Sequence, residues 1–114
     1  MAVLARHLKP IEDAHDLLGL TYKRIASALL ADESTLHRWR SGDAEPSPVY
    51  LGRLEALGEL ISELLEGVAP EGAREWLTME IPALEGERPV DLLDRGKIEP
   101  VTRLLLQINL GVSP

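Results

Sequence analysis

The sequence predicts an all-α protein, and three observations support that class. Apolar residues recur at spacings of three and four rather than two, which is the period of an amphipathic helix. Proline and glycine stand where helices would begin and end. The 114 residues are 45% apolar, enough to build a core, but only 4% aromatic with no Phe. Leu, Ile, Val and Ala therefore have to fill that core.

Three short helices are predicted in the first part of the chain. Pro10 is placed to begin the first helix and Gly19 to end it. Thr21 and Asp32 are suitable N-cap residues for the second and third helices, and Gly42 ends the third. The apolar residues expected to face the core are Ile11, Ala14, Leu17, Leu18, Ile25, Ala26, Leu29, Leu36 and Trp39.

Four further helices are predicted in the rest of the chain. The rigid "EPSP" linker leads into a long helix from Pro48 to Gly67, whose apolar stripe is expected to be intramolecular core and is also the best candidate for a dimer contact. A short helix carries Trp76, "VDLLDRG" forms one or two turns, and a last helix runs from about Ile98 to Asn109. The predicted inward residues of the long and last helices are Leu51, Leu54, Leu57, Ile61, Leu64, Leu65, Val101, Leu104, Leu105 and Ile108.

The charge is distributed unevenly along the chain. Residues 1–58 carry 7 basic and 8 acidic side chains, whereas residues 59–114 carry 5 and 11, so most of the net charge of -7 lies in the second half. Such asymmetry indicates two partners of different polarity. Acidity that only keeps the surface soluble is the alternative.

Several classes of protein are disfavoured by the composition. The absence of Cys excludes disulfides and cysteine-based zinc sites, and it fits a reducing, cytoplasmic location. No apolar run approaches the ~20 residues of a membrane span. His7, His15 and His37 lack the spacing of a metal-binding pair, and no nucleophile elbow or phosphate-binding glycine loop is present. We therefore expect neither an enzyme nor a metal or cofactor site.

The second and third helices are typical of a helix-turn-helix joined at residues 31–33. With Leu36 and Trp39 buried, one polar face of the third helix is left free, and such residues suit base edges and phosphates in a major groove. The preceding helix would cross the phosphate backbone. A solvated, purely structural face is the alternative. The predicted DNA-binding residues are Lys23, Arg24, Ser34, Thr35, His37, Arg38, Arg40 and Ser41.

Few cations are available to one copy of the chain, so useful affinity for DNA needs two copies. We therefore expect a homodimer that presents two recognition helices about one DNA turn, ~34 Å, apart.

From Trp76 onward the sequence resembles the toxin-binding domain of the Xre/MbcA/ParS antitoxins. The shared features are Trp76-Leu77, a Pro-Ala-Leu-x-Gly-x-x-Pro stretch at 82–89, Asp91-Leu92-Leu93, Gly96 and a glycine-containing tail. The segment "LTYKRIASALLADESTLHRWRSG" resembles the Xre-type helix-turn-helix of the same antitoxins. The chain departs from the pattern at Glu85-Gly86, and it lacks the second glycine that some members carry after Gly96.

This resemblance implies an antitoxin of a type II toxin–antitoxin system. It implies an Xre-like helix-turn-helix domain with a long dimerisation helix at residues 1–67 and a small toxin-binding domain with a C-terminal tail at 68–114. The implied partner is a RES-domain toxin that consumes NAD, whose cleft the antitoxin covers, and the implied DNA is the operator of the shared operon. The implied toxin-binding residues are Arg88, Arg95, Leu110, Gly111, Val112, Ser113 and Pro114.

Three choices remain open at this point. Arg88 and Arg95 pair either with acidic neighbours or with the toxin. The tail is either a plug for the toxin's pocket or a frayed end. The chain as a whole is alternatively a stand-alone transcription regulator, or a helical adaptor without affinity for DNA.

Overall fold

The computed structural model describes residues 6–111, and the predicted all-α class is confirmed over that range. It contains seven α-helices and two single turns of 3₁₀ helix, Arg6–Leu8 and Pro82–Leu84, and no β-strand. The α-helices are α1 Lys9–Asp16, α2 Tyr22–Ala28, α3 Glu33–Ser41, α4 Pro48–Gly67, α5 Pro70–Leu77, α6 Pro89–Asp94 and α7 Ile98–Asn109. No helix of this range is long and apolar enough to cross a bilayer.

The predicted helix ends agree closely with the structure. The backbone N–H of Arg24 donates to Thr21 Oγ1 at 3.1 Å, which is the predicted N-cap of α2. Asp32 occupies the N-cap position of α3, but its side chain makes no capping hydrogen bond. Gly42 ends α3 with φ 84°, in the left-handed conformation that glycine adopts without steric cost.

The long helix α4 is the centre of the molecule. It packs against α1 and α7, and the contacts at the two ends of α7 show that α7 runs in the same direction as α4. Ile98 and Ala56 line one cleft at the start of α7, and the side-chain amide of Asn109 donates to the Glu63 carbonyl oxygen at its end. The stripe of α4 is thus covered by the chain's own helices: Leu54, Leu57, Leu60, Ile61 and Leu64 are buried.

Two residues predicted to face the core are exposed instead. Leu51, 37% exposed, lies in the first turns of α4, beside an open cleft that it lines with Arg6 and Pro10. Ile108, 48% exposed, lies in the last turn of α7, level with the end of α4 at Gly67. Periodicity identifies the inner face of a helix but not where its neighbours end.

The core is continuous across the predicted domain boundary at residue 67. Buried side chains from α1 to α7 form one cluster, and α2 packs directly against α6. Arg74 of α5 donates to the Leu17 carbonyl oxygen at 3.0 Å, which satisfies the end of α1. The two halves are therefore held in a fixed relation by packing and by hydrogen bonds.

Candidate functional site

The first candidate surface is the exposed side of α2 and α3. Residues 29–32 join these helices, and Leu36 and Trp39 of α3 are buried as predicted. Leu30 adopts φ 58°, an uncommon conformation for a residue with a Cβ, and its carbonyl oxygen accepts from the Tyr50 hydroxyl at 3.3 Å. Tyr50 also packs on Trp39, with ring centroids 5.0 Å apart. The start of α4 thereby supports the α2–α3 connection.

The face of α3 that points away from the core carries the predicted polar residues. Ser34, His37, Arg38 and Ser41 are exposed, and Thr35 is half-buried. The guanidinium of Arg38 makes no ion pair with any residue of 6–111, so it is available to an anionic partner. The structure therefore brings five of the eight predicted DNA-binding residues to one surface.

The three remaining predicted residues have different surroundings. Lys23 is exposed and makes no ion pair within the described chain. The Arg24 Nε atom lies 3.7 Å from an Asp94 carboxylate oxygen of α6. Arg40 differs most, because its guanidinium donates twice to the Glu12 carboxylate, at 2.8 and 3.0 Å.

The pair between Glu12 and Arg40 alters the titration of both groups. The hydrogen bond from Arg40 lowers the pKa of Glu12 below its usual value, and burial opposes this shift. The same hydrogen bond raises the pKa of Arg40. Both shifts favour the ionised pair, which joins α1 to α3 at neutral pH.

The second candidate surface lies on α6 and the segment before it. Arg88 donates to both oxygens of Asp91, at 2.8 and 2.7 Å, and this lowers the pKa of Asp91 and raises that of Arg88. Arg95 donates to Glu87 at 2.7 Å. Of the two alternatives for these arginines, the structure shows pairing with acidic neighbours.

A closed loop precedes this surface. The N–H of Ile81 donates to the Glu87 carbonyl oxygen at 3.1 Å, so the segment begins and ends at one point. Glu85 and Gly86 both have positive φ, 59° and 80°, and make the reversal. Leu84 is buried beneath the loop. The departure from the family pattern at Glu85-Gly86 is therefore accommodated as a tight turn.

The end of α7 presents apolar side chains to solvent. Leu110 is 76% exposed, Ile108 lies two residues before it, and Gly111 has φ 74°. Asn109 holds this end, because its amide donates to the backbone oxygen of Glu63 at 2.9 Å and to its carboxylate at 2.8 Å. The predicted toxin-binding residues Val112, Ser113 and Pro114 lie outside the described residues.

Sequence reasoning missed Glu12, Asn109 and the left-handed conformation of Leu30. The partners of Glu12 and Asn109 are 28 and 46 residues away in the chain, so helical spacing gives no sign of them. Leu30 stands where a glycine would signal the end of α2. Within residues 6–111, no three His, Asp or Glu side chains converge as a metal site requires.

The chain is similar to a known family, to a curated protein and to a solved structure. Residues 60–111 match the family model described as the antitoxin Xre/MbcA/ParS C-terminal toxin-binding domain. A probable mycobacterial cidal antitoxin of Mycobacterium tuberculosis is 33% identical over 91 residues, which are 80% of this chain and 77% of that protein. A chain in the crystal structure of the M. tuberculosis MbcT-MbcA toxin–antitoxin complex superposes with TM-score 0.72 and 25% identity, covering 96% of this chain and 99% of that one.

Proposed function

Because the chain belongs to the Xre/MbcA/ParS antitoxin family, we propose that it neutralises a RES-type, NAD-consuming toxin and represses its own operon. The C-terminal half covers the toxin's active site, and α2 and α3 act as a helix-turn-helix on the operator. The single observation that carries the proposal is the family match over residues 60–111, where the exposed end of α7 and the ion-paired α6 surface lie.

Charge supports a toxin partner for the second half of the chain. A pocket that receives NAD has to attract phosphates and is therefore locally cationic. The 11 acidic and 5 basic side chains of residues 59–114 would steer this half towards such a pocket.

Two surfaces are assigned to toxin contact under this proposal. The ion-paired α6 surface, with Arg88 and Arg95, meets the rim of the cleft. The tail enters the pocket: Leu110 supplies an apolar contact, Gly111 backbone freedom, and the tail continues through Val112, Ser113 and Pro114.

DNA recognition is assigned to the exposed side of α2 and α3. Arg38 is well placed because its guanidinium is not engaged by the described chain, and arginine recognises guanine through two parallel hydrogen bonds. Lys23, Arg24, Ser34, Thr35, His37 and Ser41 complete the proposed surface. We retain the proposal of a homodimer with two α3 helices ~34 Å apart. Since most of the α4 stripe is buried, any α4 contact between copies would use exposed residues such as Val49 and Leu51.

Co-expression tests the partner directly. The protein encoded by the adjacent reading frame should be toxic when expressed alone, harmless with this chain, and should copurify with it. A chain that binds promoter DNA as tightly without any partner, and that copurifies with none, would instead be a stand-alone regulator.

A further inference from the structure

Three helices meet around the ring of Tyr22 at the start of α2. The Arg40 guanidinium carbon lies 4.1 Å from the ring centroid, and the His15 ring is stacked 4.0 Å from it with 14° between the planes. Two groups at such distances cannot share one face of a ring without overlapping. Tyr22 is therefore sandwiched between Arg40 of α3 and His15 of α1.

Arg40 makes contacts with Glu12, Tyr22 and His37 within this cluster. Its Nε and one terminal nitrogen donate to the two oxygens of Glu12, and its other terminal nitrogen lies 3.4 Å from His37 Nδ1. The His37 ring meets Tyr22 edge-on at 5.3 Å. The side chains of Arg40 and Glu12 are only 30% and 25% exposed. The Arg40 guanidinium is therefore directed mainly at Glu12 and Tyr22 rather than at solvent.

The apolar packing of α3 does not by itself determine its orientation. Burial of Leu36 and Trp39 is non-directional, whereas a bidentate arginine–carboxylate pair restrains both distance and angle. A rotation of α3 by about 20° about its own axis would move a side-chain end roughly 9 Å from that axis by about 3 Å. A shift of that size equals the length of a hydrogen bond, so it would break the hydrogen bonds between α3 and the DNA.

We propose that Glu12 and Arg40 are positioning residues: their ion pair fixes α3 so that His37 and Arg38 meet the DNA, and Arg40 itself does not bind it. This inference rests on the proposed binding of DNA by α3. It divides the basic residues of α3 into two roles, with Arg38 as a contact and Arg40 as an anchor. Glu12, an acidic residue outside the helix-turn-helix, becomes necessary for affinity.

Two variants separate the positioning role from direct contact. Glu12→Gln removes a negative charge and frees Arg40, so direct contact predicts tighter binding, whereas positioning predicts weaker binding. Arg40→Lys keeps the positive charge but loses the bidentate geometry. A phosphate contact would tolerate this change, but an anchor would not.

The measurement is the affinity for a duplex from the promoter upstream of the chain's own reading frame, at several salt concentrations. We expect roughly tenfold weaker binding for both variants, in the range of coupled charge pairs, with the salt dependence of the wild type. The matched control for Glu12 is Asp13→Asn, whose ion pair with Lys9 lies within α1 itself. It should leave affinity unchanged. Arg38→Gln should weaken binding and reduce the preference for the promoter duplex over a scrambled duplex of equal length.

Different results would overturn the positioning role and the proposed repressor function. Wild-type binding that Glu12→Gln strengthens, or that Arg40→Lys leaves unchanged, overturns the positioning role alone. Absence of DNA binding by the wild type even at low salt overturns the proposed repressor function, and this inference falls with it. Circular dichroism and thermal melting monitor folding, and if Glu12→Gln is unfolded at the assay temperature, Arg40→Lys decides the question.

Discussion

The side chain of Leu30 lies directly against Gly96: a Cβ atom at Gly96 would stand 2.4 Å from Leu30 Cδ2. Each residue follows the end of a helix, α2 and α6 respectively, and each has a positive φ, 58° and 73°. The hydrogen bonds are those of paired Schellman motifs, Ala31 to Ala26 and Leu30 to Ser27 in one, Lys97 to Leu92 and Gly96 to Leu93 in the other. The α2–α3 connection is thereby packed on the α6–α7 connection.

Gly96→Ala should destabilise the chain more than Gly86→Ala. Both positions have positive φ, so each alanine costs about 1–2 kcal/mol in backbone strain. Only Gly96 also faces an atom that a Cβ would overlap, since nothing lies within 4 Å at Gly86. Urea unfolding of the two variants measures the difference. Leu30→Ala should recover part of the loss at Gly96, and equal losses at both glycines would contradict the contact.

Thr21→Ala should lower the free energy of unfolding by about 1 kcal/mol, because the Thr21 hydroxyl oxygen accepts the hydrogen bond that caps α2. Ser47 provides the matched control. It occupies the N-cap position of α4, yet its side chain makes no capping hydrogen bond. Ser47→Ala should therefore change stability little. The cap assignment is wrong if thermal or urea unfolding shows the same effect for both variants.

Acid should weaken the link between α1 and α3. The Arg40 hydrogen bond lowers the pKa of Glu12 in the folded state, so the folded chain holds the ionised form more strongly than the unfolded chain does. The resulting stability is present above the unfolded pKa, near 4.5, and is lost as pH falls through the lower folded pKa. The stability difference between wild type and Glu12→Gln should be larger at pH 6 than at pH 3. Urea unfolding at both pH values checks this, and a constant difference would count against it.

Leu110→Asp should weaken binding of the toxin while leaving the fold intact. The residue is 76% exposed, so a carboxylate is tolerated in the free chain, but an apolar anchor at an interface contributes about 2 kcal/mol or more. Val49→Asp is the control, because Val49 is also exposed and lies at the start of α4. Calorimetric titration with the toxin compares them. Deletion of residues 110–114 should behave like Leu110→Asp, and full inhibition by the shortened chain would exclude plugging by the tail.

The sequence predicted features that depend on neighbouring residues in the chain. The cap at Thr21, the stop at Gly42, the start at Pro48 and the buried side of α3 follow from local preferences, and the structure confirms them. The exposure of Ile108 was not predicted, because it depends on where α4 ends.

Contacts between residues that are far apart in the sequence could not be predicted from it. Its residue type and its place on α3 predict that Arg40 contacts DNA, because no neighbouring residue indicates that Glu12 binds it. The bidentate pair with Glu12 favours an anchoring role for Arg40. The contact between Leu30 and Gly96 likewise depends on the packing of α2 against α6.

The most direct test of the account is whether the protein of the adjacent reading frame consumes NAD, and how its rate of NAD consumption changes when it is titrated with this chain. The proposal predicts that activity falls to background at a fixed stoichiometry and that Leu110→Asp shifts the titration to higher concentration. Undiminished NAD consumption with the intact chain in excess would contradict the proposed neutralisation of that toxin.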